Sequence, residues 1–492
     1  MLFTTLAFAL GFLPVVFAGF FLLGRFSPRG AAAWLFLASL FFYGYWMPAF
    51  VGLLLCSILV NFGVGRAIAQ AVAHGARARG KALLVVGIVF NLGLLSWFKY
   101  ANFLVDSLNA VLGSDWQLGE ITLPIGISFF SFTQIAFLAD AYQKGVKEYR
   151  FAHYGLFVTY FPHLVAGPVL HHAQMMPQFG EARTYRVHAP HLAAGFAIFA
   201  IGLFKKVILA DGVSPYADAV FNAAHGGAAL SLLDGWTGAL AYTFQLYFDF
   251  SGYSDMAVGL SLLFNIRLPY NFDSPYKSLS ISDFWRRWHM SLSTFLRDYL
   301  YIPLGGNRRG GARRYVNLML TMLLGGLWHG ANWTFVIWGG LHGLYLGINH
   351  GFRAALGARL ATLETRWAYR ASAWALTFIA VVIAWVLFRA PDFATAARVL
   401  GAMAGAAAAS DTPVLWNAGL SLAGAAAHCV VLGLACVALP NSNQLGERLL
   451  AVCERGVDRS WLTLGATTVL CGFLIVINDA RDAVSPFIYF NF

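Results

Sequence analysis

Charged residues are scarce in this chain. Lys, Arg, Asp and Glu make up 11% of its 492 residues, whereas soluble domains carry about 25%. Hydrophobic residues make up 59% and aromatic residues 16%, and the mean hydropathy is +0.65. This balance excludes an ordinary soluble protein and indicates a polytopic membrane protein. The net charge of +11 does not suggest nucleic acid, because Lys and Arg lie mostly in short loops between apolar runs, as the positive-inside rule predicts.

Cysteine is also scarce, and no CxxC pair occurs. The five cysteines are Cys56, Cys429, Cys436, Cys453 and Cys471. All but Cys453 lie in apolar runs, so we expect small buried hydrophobic residues rather than a disulfide framework or a metal site.

Several catalytic signatures are missing. The sequence has no HExxH, no P-loop, no GxSxG and no Rossmann fingerprint, so zinc hydrolysis, nucleotide hydrolysis and serine-elbow chemistry are not first choices. His163, His171 and His172 flank Gly167-Pro168, but they lack the spacing and the acidic partners of a clear metal site. We therefore expect no metal.

Apolar runs long enough to cross a bilayer recur along the chain. Candidate spans begin near residues 2, 31, 48, 82, 123, 153, 189, 234, 252, 315, 332, 371, 415 and 461, and some are short enough to be re-entrant. The run 2–24 is too long for a cleaved signal. If the N-terminus is outside, most Lys and Arg fall in inner loops. Only residues 206–267 do not fit the alternation of inner and outer loops. No linker or repeat is evident, so we predict one all-α membrane domain over residues 1–492, with its core motifs at 160–350.

A dense polar block lies near position 300, where ionisable groups in apolar surroundings cost several kcal/mol unless they have a partner or line a cavity. The pattern predicts one amphipathic helix over 282–302, capped by Ser282. Its aromatic and aliphatic face comprises Phe284, Trp285, Trp288, Leu292, Phe295, Leu296 and Tyr299. Its adjacent polar stripe comprises Arg286, His289, Ser293 and Arg297. Such a helix should lie at the membrane boundary or dip into a cavity lined by protein.

His329 stands in the segment GGLWHG at 325–330. A neutral imidazole there could take a proton from a hydroxyl that attacks a thioester, since its ordinary pKa of about 6.5 suits that task. A histidine satisfied inside a helix bundle is an equally good interpretation of the residues alone. We expect a binding or structural role for His289, with assistance to His329 as an alternative. We expect a packing role for His342.

Seven arginines cluster on the side predicted to be cytoplasmic: Arg286, Arg287, Arg297, Arg308, Arg309, Arg313 and Arg314. Such a cluster can grip the phosphates of coenzyme A or of a carrier protein's phosphopantetheine. The positive-inside rule with anionic lipid explains 308–314 equally well. Asp249 and Asp255 are expected to pair structurally with arginines of the block or to line a cavity, with a proton relay as the weaker alternative. Asp298 is grouped with them as a structural polar residue.

Six segments together resemble one known family. They are YFPHLVAGP at 160–168, YFDFSGYSDMA at 247–257, FWRRWHMSLS at 284–293, LRDYLYIPLGGN at 296–307, GGLWHGANW at 325–333 and PFIYFNF at 486–492. In this order they resemble the membrane-bound O-acyltransferases (MBOAT), most closely the bacterial branch typified by the membrane subunit of alginate O-acetyltransferase.

The resemblance implies a helical bundle with re-entrant and amphipathic helices around a transmembrane tunnel. It implies His329 as the catalytic histidine and His289 as a second functional position. It also implies an acetyl-CoA donor on the cytoplasmic side of a bacterial inner membrane, with no permanently bound cofactor. The acetyl group would pass to hydroxyls of an extracytoplasmic polysaccharide, alginate or similar, directly or through a partner protein of the SGNH-hydrolase-like type.

Joining the two lines of reasoning, we expect the donor to contact a set of arginines, tryptophans and small polar residues. These are Arg286, Arg297, Trp285, Trp288, Trp328, Asn332 and Ser293, with Trp333 as a further wall. The remaining alternatives are a D-alanyl or peptidoglycan acyltransferase of the same family, and a transporter or scaffold of a polysaccharide complex.

Overall fold

The computed structural model describes residues 1–165, 167–308, 310–406, 414–480 and 487–488. Within these ranges the chain forms helices and no strand, which confirms the all-α prediction. In chain order the α-helices are α1 Leu13–Phe26, α2 Pro28–Gly44, α3 Val51–Ala73, α4 Arg77–Leu95, α5 Ala101–Leu112, α6 Ile127–Gln143, α7 Phe151–Thr159, α8 Phe161–Leu164, α9 His172–Met175, α10 Ala189–Phe204, α11 Asp211–His225, α12 Leu232–Leu263, α13 Ile281–Arg287, α14 Met290–Leu296, α15 Gly311–His329, α16 Trp333–Leu356, α17 Arg359–Glu364, α18 Trp367–Arg389, α19 Phe393–Met403, α20 Val414–Asn417, α21 Leu422–Ala438, α22 Ser442–Glu454 and α23 Val457–Asp479.

Six helical segments in the described part of the chain are long and apolar enough to cross a membrane. They are Ala7–Gly24, Pro48–Ala73, Arg77–Leu112, Ala189–His225, Trp367–Arg389 and Asp458–Asp479. The bent pair α21 and α22 makes a seventh if it counts as one span. Most of the other starts suggested by the sequence fall on helices that are shorter or more polar. The chain is thus a multi-pass membrane protein, as its composition predicts.

The helix α12 differs from the sequence-based expectation. The sequence suggested separate spans beginning near 234 and 252, but residues Leu232–Leu263 form one continuous helix of 32 residues. The cluster of Ser251, Gly252 and Ser254 resembles a break in a hydropathy pattern. All three are buried in the structure, so these small residues pack against neighbouring parts of the protein and do not interrupt the helix.

The described residues divide into two compact units, and the prediction of a single domain stays a prediction. The first unit comprises the described residues of 1–203, 253–270 and 442–488. Its packing is mostly apolar, with pairs α1–α2, α3–α4 and α2–α7 in contact. Where polar groups are buried in it, they satisfy each other: the side-chain amides of Asn61 and Asn91 bond reciprocally at 2.6 and 3.2 Å. This is the pairing that apolar surroundings require.

The cysteines mostly match the expectation of small buried residues. Cys436, Cys453 and Cys471 are buried and Cys429 is half-buried, but Cys56 is exposed on α3. Because an apolar side chain on the outside of a membrane helix faces lipid, exposure there does not contradict an apolar environment. All five are free thiols.

The second unit comprises the described residues of 204–252 and 271–441. Its central contact is the hairpin of α15 and α16, which cross at Gly326 and Gly339. A Cβ built on Gly326 would collide with the carbonyl oxygen of Phe335, and one built on Gly339 would collide with that of Met322. Glycine therefore allows the two backbones to touch. The contact sets the register between His329, three residues after Gly326, and the start of α16.

We predict that Gly326→Ala destabilises the protein by about 1–3 kcal/mol, because the methyl group forces the two backbones apart. The measurement is the thermal unfolding midpoint of the purified protein in detergent. Gly351→Ala is the matched control: it lies on α16, and a Cβ added there would meet no atom within 4 Å, so it should leave the midpoint unchanged or raise it. Equal midpoints for Gly326→Ala and Gly351→Ala would contradict the close-contact argument.

Candidate active site

The polar block is broken by His289. α13 is capped by Ser280, whose Oγ accepts a bond from the backbone N–H of Asp283 at 3.1 Å. His289 then adopts a left-handed conformation, with φ 44° and ψ 53°. α14 starts at the next residue and continues into a π-helical turn, Arg297–Tyr301. The prediction of one continuous helix over 282–302 with Ser282 as its cap is therefore wrong.

The break separates residues that the helical pattern placed on one stripe. His289 is fully buried, while the side chain of Arg297 is 60% exposed and bonds to Asp298 at 2.7 Å. The partner of Asp298 is therefore the residue that precedes it in the chain. A left-handed residue interrupts the right-handed helix, so the residues after it do not continue the face of the residues before it, which a helical wheel does not take into account.

Asn271 orients His289. Its Oδ1 accepts bonds from the backbone N–H of Ser291 at 3.1 Å, from the hydroxyl of Ser291 at 2.8 Å and from Nδ1 of His289 at 3.2 Å. Since an amide oxygen only accepts, the proton of His289 lies on Nδ1 and Nε2 carries the lone pair. Burial lowers the pKa of His289 to about 3, so the ring is neutral at physiological pH. Asn271 was not expected here, because it lies 18 residues upstream and has no local signal.

His329 is the last residue of α15 and is buried. Its ring lies 5.0 Å from that of Trp328, 5.2 Å from that of Trp338, 5.2 Å from that of Phe388 and 6.4 Å from that of His289, measured between centroids. The two histidines singled out by the sequence are therefore brought into one aromatic enclosure. Trp338 and Phe388 were not expected to border it.

The other tryptophans that were predicted to contact the donor differ in how deeply they are buried. Trp288 and Trp328 are buried, Trp285 is half-buried, and the ring of Trp288 lies 4.9 Å from that of Trp385. Trp333, expected as a further wall, is 50% exposed.

The two small polar residues expected to contact the donor have local bonds. Asn332 caps α16: its Oδ1 accepts from the N–H of Thr334 at 2.9 Å, and its amide donates to the carbonyl of Pro391 at 2.8 Å. The hydroxyl of Ser293 donates to the carbonyl of Trp288 at 3.4 Å. Both therefore shape the backbone at the edges of the enclosure.

A cleft of about 840 Å³ opens beside α13, between α16, α17 and α18. Its lining includes Arg286, Tyr345, Asn349, Arg353 and Arg370. The lining carries three arginines from three different helical segments and the carboxylates of Asp283 and Glu364, and Arg353 bonds to Glu364 at 3.1 Å.

The other arginines of the sequence cluster are not part of this lining. Arg297 lies outside it, and Arg287 bonds to Asp283 at 2.9 Å. Arg309 lies outside the described residues. Of the two arginines predicted to bind the donor, Arg286 alone borders this cleft.

Asp249 has a structural partner, although it is not an arginine of the block. Its carboxylate lies 2.6 Å from Nζ of Lys206, and Asp211 lies 2.7 Å from the same nitrogen. All three side chains are less than a tenth exposed. Asp255 is also buried, in the first unit. Lys206 was not expected as the partner, because nothing local in the sequence indicates that it points inward.

The histidines near Gly167 have partners that the sequence did not reveal. Nε2 of His163 donates to the carbonyl of Phe157 at 3.1 Å. His171 lies 3.7 Å from Asp140 and His172 lies 3.4 Å from Glu148. His171 and His172 thus each have one acidic neighbour from another segment, which the sequence did not reveal. In the described part of the chain no group of three or more His, Cys, Asp or Glu side chains could hold a metal ion.

Comparison with known proteins completes the description of this site. The model of the membrane-bound O-acyltransferase family matches residues 34–389, a range that contains His289, His329 and the cleft. The chain belongs to the membrane-bound O-acyltransferase family. It is therefore an O-acyltransferase, as its motifs predict.

Curated relatives agree on acyl transfer and differ in the acceptor. The chain is 38% identical to the peptidoglycan O-acetyltransferase of Helicobacter pylori, over 100% of this chain and 98% of that protein. It is 44% identical to the probable alginate O-acetylase AlgI of Pseudomonas aeruginosa, over 82% of this chain and 75% of that protein. It is 30% identical to the teichoic acid D-alanyltransferase of Bacillus subtilis, over 45% of this chain and 58% of that protein.

We predict that Asn271→Ala lowers activity by at least about tenfold and lowers stability, because three donors lose their acceptor and His289 loses its orientation. Acyl transfer and the unfolding midpoint would both be measured. Asn222→Ala, an exposed asparagine of the same unit, is the control and should change neither. Wild-type turnover in Asn271→Ala would show that the orientation of His289 is irrelevant.

Proposed function

We propose that this enzyme takes an acetyl group from acetyl-CoA on the cytoplasmic side of a bacterial inner membrane. It passes the group to hydroxyls of an extracytoplasmic polysaccharide, directly or through a periplasmic partner of the SGNH-hydrolase-like type. The observation that carries the proposal is a continuous face of α16 that joins the basic cleft to His329.

That face consists of Trp338, His342, Tyr345 and Asn349, which share one side of the helix by their spacing. Tyr345 and Asn349 line the cleft. The ring of Tyr345 lies 5.8 Å from that of His342, the ring of His342 lies 4.9 Å from that of Trp338, and the ring of Trp338 lies 5.2 Å from that of His329. At about 1.5 Å per residue the face is about 16 Å long. A long thioester arm would follow it from its phosphates to its reactive carbon.

In this proposal Arg286 and Arg370 hold the donor's phosphates, and Arg353, which bonds to Glu364 at 3.1 Å, adds positive charge to the same cleft. Arginine suits this role because its planar fork bonds phosphate oxygens in pairs. The cleft volume falls within the range of about 300–1,000 Å³ that small-molecule sites usually have. Arg297 does not take part, because it lies outside the lining of the cleft.

His329 acts as the general base that takes the proton of the acceptor hydroxyl as its oxygen attacks the thioester carbon. The neutral His289 offers the lone pair of Nε2 to the substrates. Centroids 6.4 Å apart leave the nitrogens of the two rings beyond hydrogen-bond reach of each other. The surrounding Trp328, Trp338 and Phe388 keep water from a thioester that would otherwise hydrolyse.

Two acceptor classes are supported by the relatives. Alginate or a similar exopolysaccharide agrees with the higher identity to the alginate O-acetylases. Peptidoglycan is favoured by the match to the Helicobacter pylori protein over almost the whole of both chains. Both are carbohydrates whose hydroxyls receive an acetyl group, so the site chemistry is the same for either.

We predict that His329→Ala lowers acetyl transfer by about 10²–10⁴-fold, because it removes the general base, while acetyl-CoA still binds. Transfer from radiolabelled acetyl-CoA and donor binding would be measured on purified protein. In the native host, a deletion strain complemented with wild type or His329→Ala would be assayed for acetyl esters on exopolysaccharide and on peptidoglycan separately. The fraction that loses its esters identifies the acceptor. A fully active His329→Ala enzyme would overturn the proposed role.

We predict that Arg286→Ala raises KM for acetyl-CoA about tenfold or more with little change in kcat, because one charge-assisted contact to phosphate is lost. With acetyl-pantetheine, which has no phosphate, wild type and Arg286→Ala should have the same KM. Arg308→Ala, an exposed arginine of the sequence cluster, serves as the control with both donors. An equal effect of Arg286→Ala on the KM of both donors would contradict the proposal that Arg286 binds the phosphate.

A further inference from the structure

Two buried N–H donors lie side by side on α16. His342 is 0% exposed and Trp338 is 1% exposed. Nε1 of Trp285 lies 3.3 Å from Nδ1 of His342. An indole N–H can only donate, so Nδ1 of His342 is the acceptor and its proton lies on Nε2. Trp285 thereby selects one tautomer of His342.

Neither donor meets an acceptor within the part of the chain that the structure describes. Nε2 of His342 and Nε1 of Trp338 are both buried without a hydrogen-bond partner there. Their ring neighbours include Phe284, stacked at 6.2 Å from His342, and Phe388, 5.0 Å from Trp338. Buried donors are rarely left unsatisfied, because each one costs free energy in the folded state. Here the two rings that carry them have centroids 4.9 Å apart, and one of these rings also packs against His329, so the two donors indicate a ligand oxygen.

We propose that Nε2–H of His342 and Nε1–H of Trp338 bind the carbonyl oxygen of the donor's thioester and stabilise the negative charge that forms on it. This inference rests on the proposed function, because it needs a thioester beside His329. Trp338 makes that placement possible, since its ring touches both His342 and His329. It also gives His342 a role in the reaction instead of the packing role that the sequence suggested.

The reaction balances with these groups. The acceptor hydroxyl oxygen bonds to the carbonyl carbon, the π electron pair moves onto the carbonyl oxygen, and the hydroxyl proton moves to His329. When the carbonyl re-forms, the carbon–sulfur bond breaks and the leaving thiolate takes the proton from His329. His342 and Trp338 donate hydrogen bonds throughout and neither gains nor loses a proton. Donors aimed at a developing oxyanion act before any solvent has to reorganise.

The test compares His342→Phe with His342→Gln in the purified full-length enzyme with acetyl-CoA. We expect His342→Phe to lower kcat about 10²–10³-fold, the usual effect of losing one such donor, while KM for acetyl-CoA changes little. His342→Gln should restore part of kcat, because its amide can present an N–H near the position of Nε2. The pH dependence of kcat should keep its midpoint in both variants, because His342 does not titrate in the reaction. Trp338→Phe should also lower kcat.

Phe284→Leu is the packing control, because Phe284 stacks on His342 and carries no donor. It should lower the unfolding midpoint and leave kcat within a few-fold of wild type. A wild-type kcat in folded His342→Phe would overturn the inference. So would a Gln variant as inactive as the Phe variant with an unchanged midpoint. If His342→Phe does not fold, Trp338→Phe decides by the same criteria. If the His342→Phe enzyme is active and the His329→Ala enzyme is inactive, only this inference is overturned. If the His329→Ala enzyme is active, the proposed function is overturned.

Discussion

The contact of α15 with α16 at Gly326 and Gly339 determines the geometry of the site. A Cβ atom on either glycine would lie too close to a backbone carbonyl oxygen of the opposite helix. Because backbones are stiffer than side chains, this contact allows one register. That register places His329, at the end of one helix, against Trp338 on the other. The enclosure of aromatic rings and the face of α16 that leads to the cleft both follow from it.

A second constraint acts on the polar groups that this apolar chain buries. Since no water is available to solvate them, they must satisfy one another. Lys206 lies between Asp211 and Asp249, and Asn271 accepts three bonds that position His289 and Ser291. Several buried polar atoms of the described residues have no such partner, and the donors of His342 and Trp338 are among them. These two are distinguished by their place in the chain of rings that ends at His329.

Charge and aromatic surface are separated along the second unit. Arg286, Arg353 and Arg370 border an open cleft, and His289 and His329 lie among rings. A donor with phosphates at one end and a thioester at the other would match this arrangement of a charged cleft and an aromatic enclosure. In the proposed function the aromatic part would protect the thioester from water, while the basic part would supply affinity without needing to be buried.

Much of this could be predicted from the sequence because it depends on composition or on short motifs. Scarce charge and long apolar runs predict helices in a membrane, and the segments at 160–168, 247–257, 284–293 and 325–333 indicate the family. His289 and His329 stand out as polar residues in apolar surroundings, and they do lie together. The sequence could not show that His289 breaks a helix, because its left-handed conformation depends on bonds to Asn271.

Only the tertiary structure shows which residues of the same type lie at the candidate site. Nothing in the arginine pattern separates Arg286 from Arg297, yet one borders the cleft and the other pairs with Asp298. Trp333 looks like Trp328 in the sequence but is half exposed. A sequence pattern records which side chains are available and at what spacing along one helix. Which of them face one another depends on how helices distant in the chain pack, and here that is determined by two glycines.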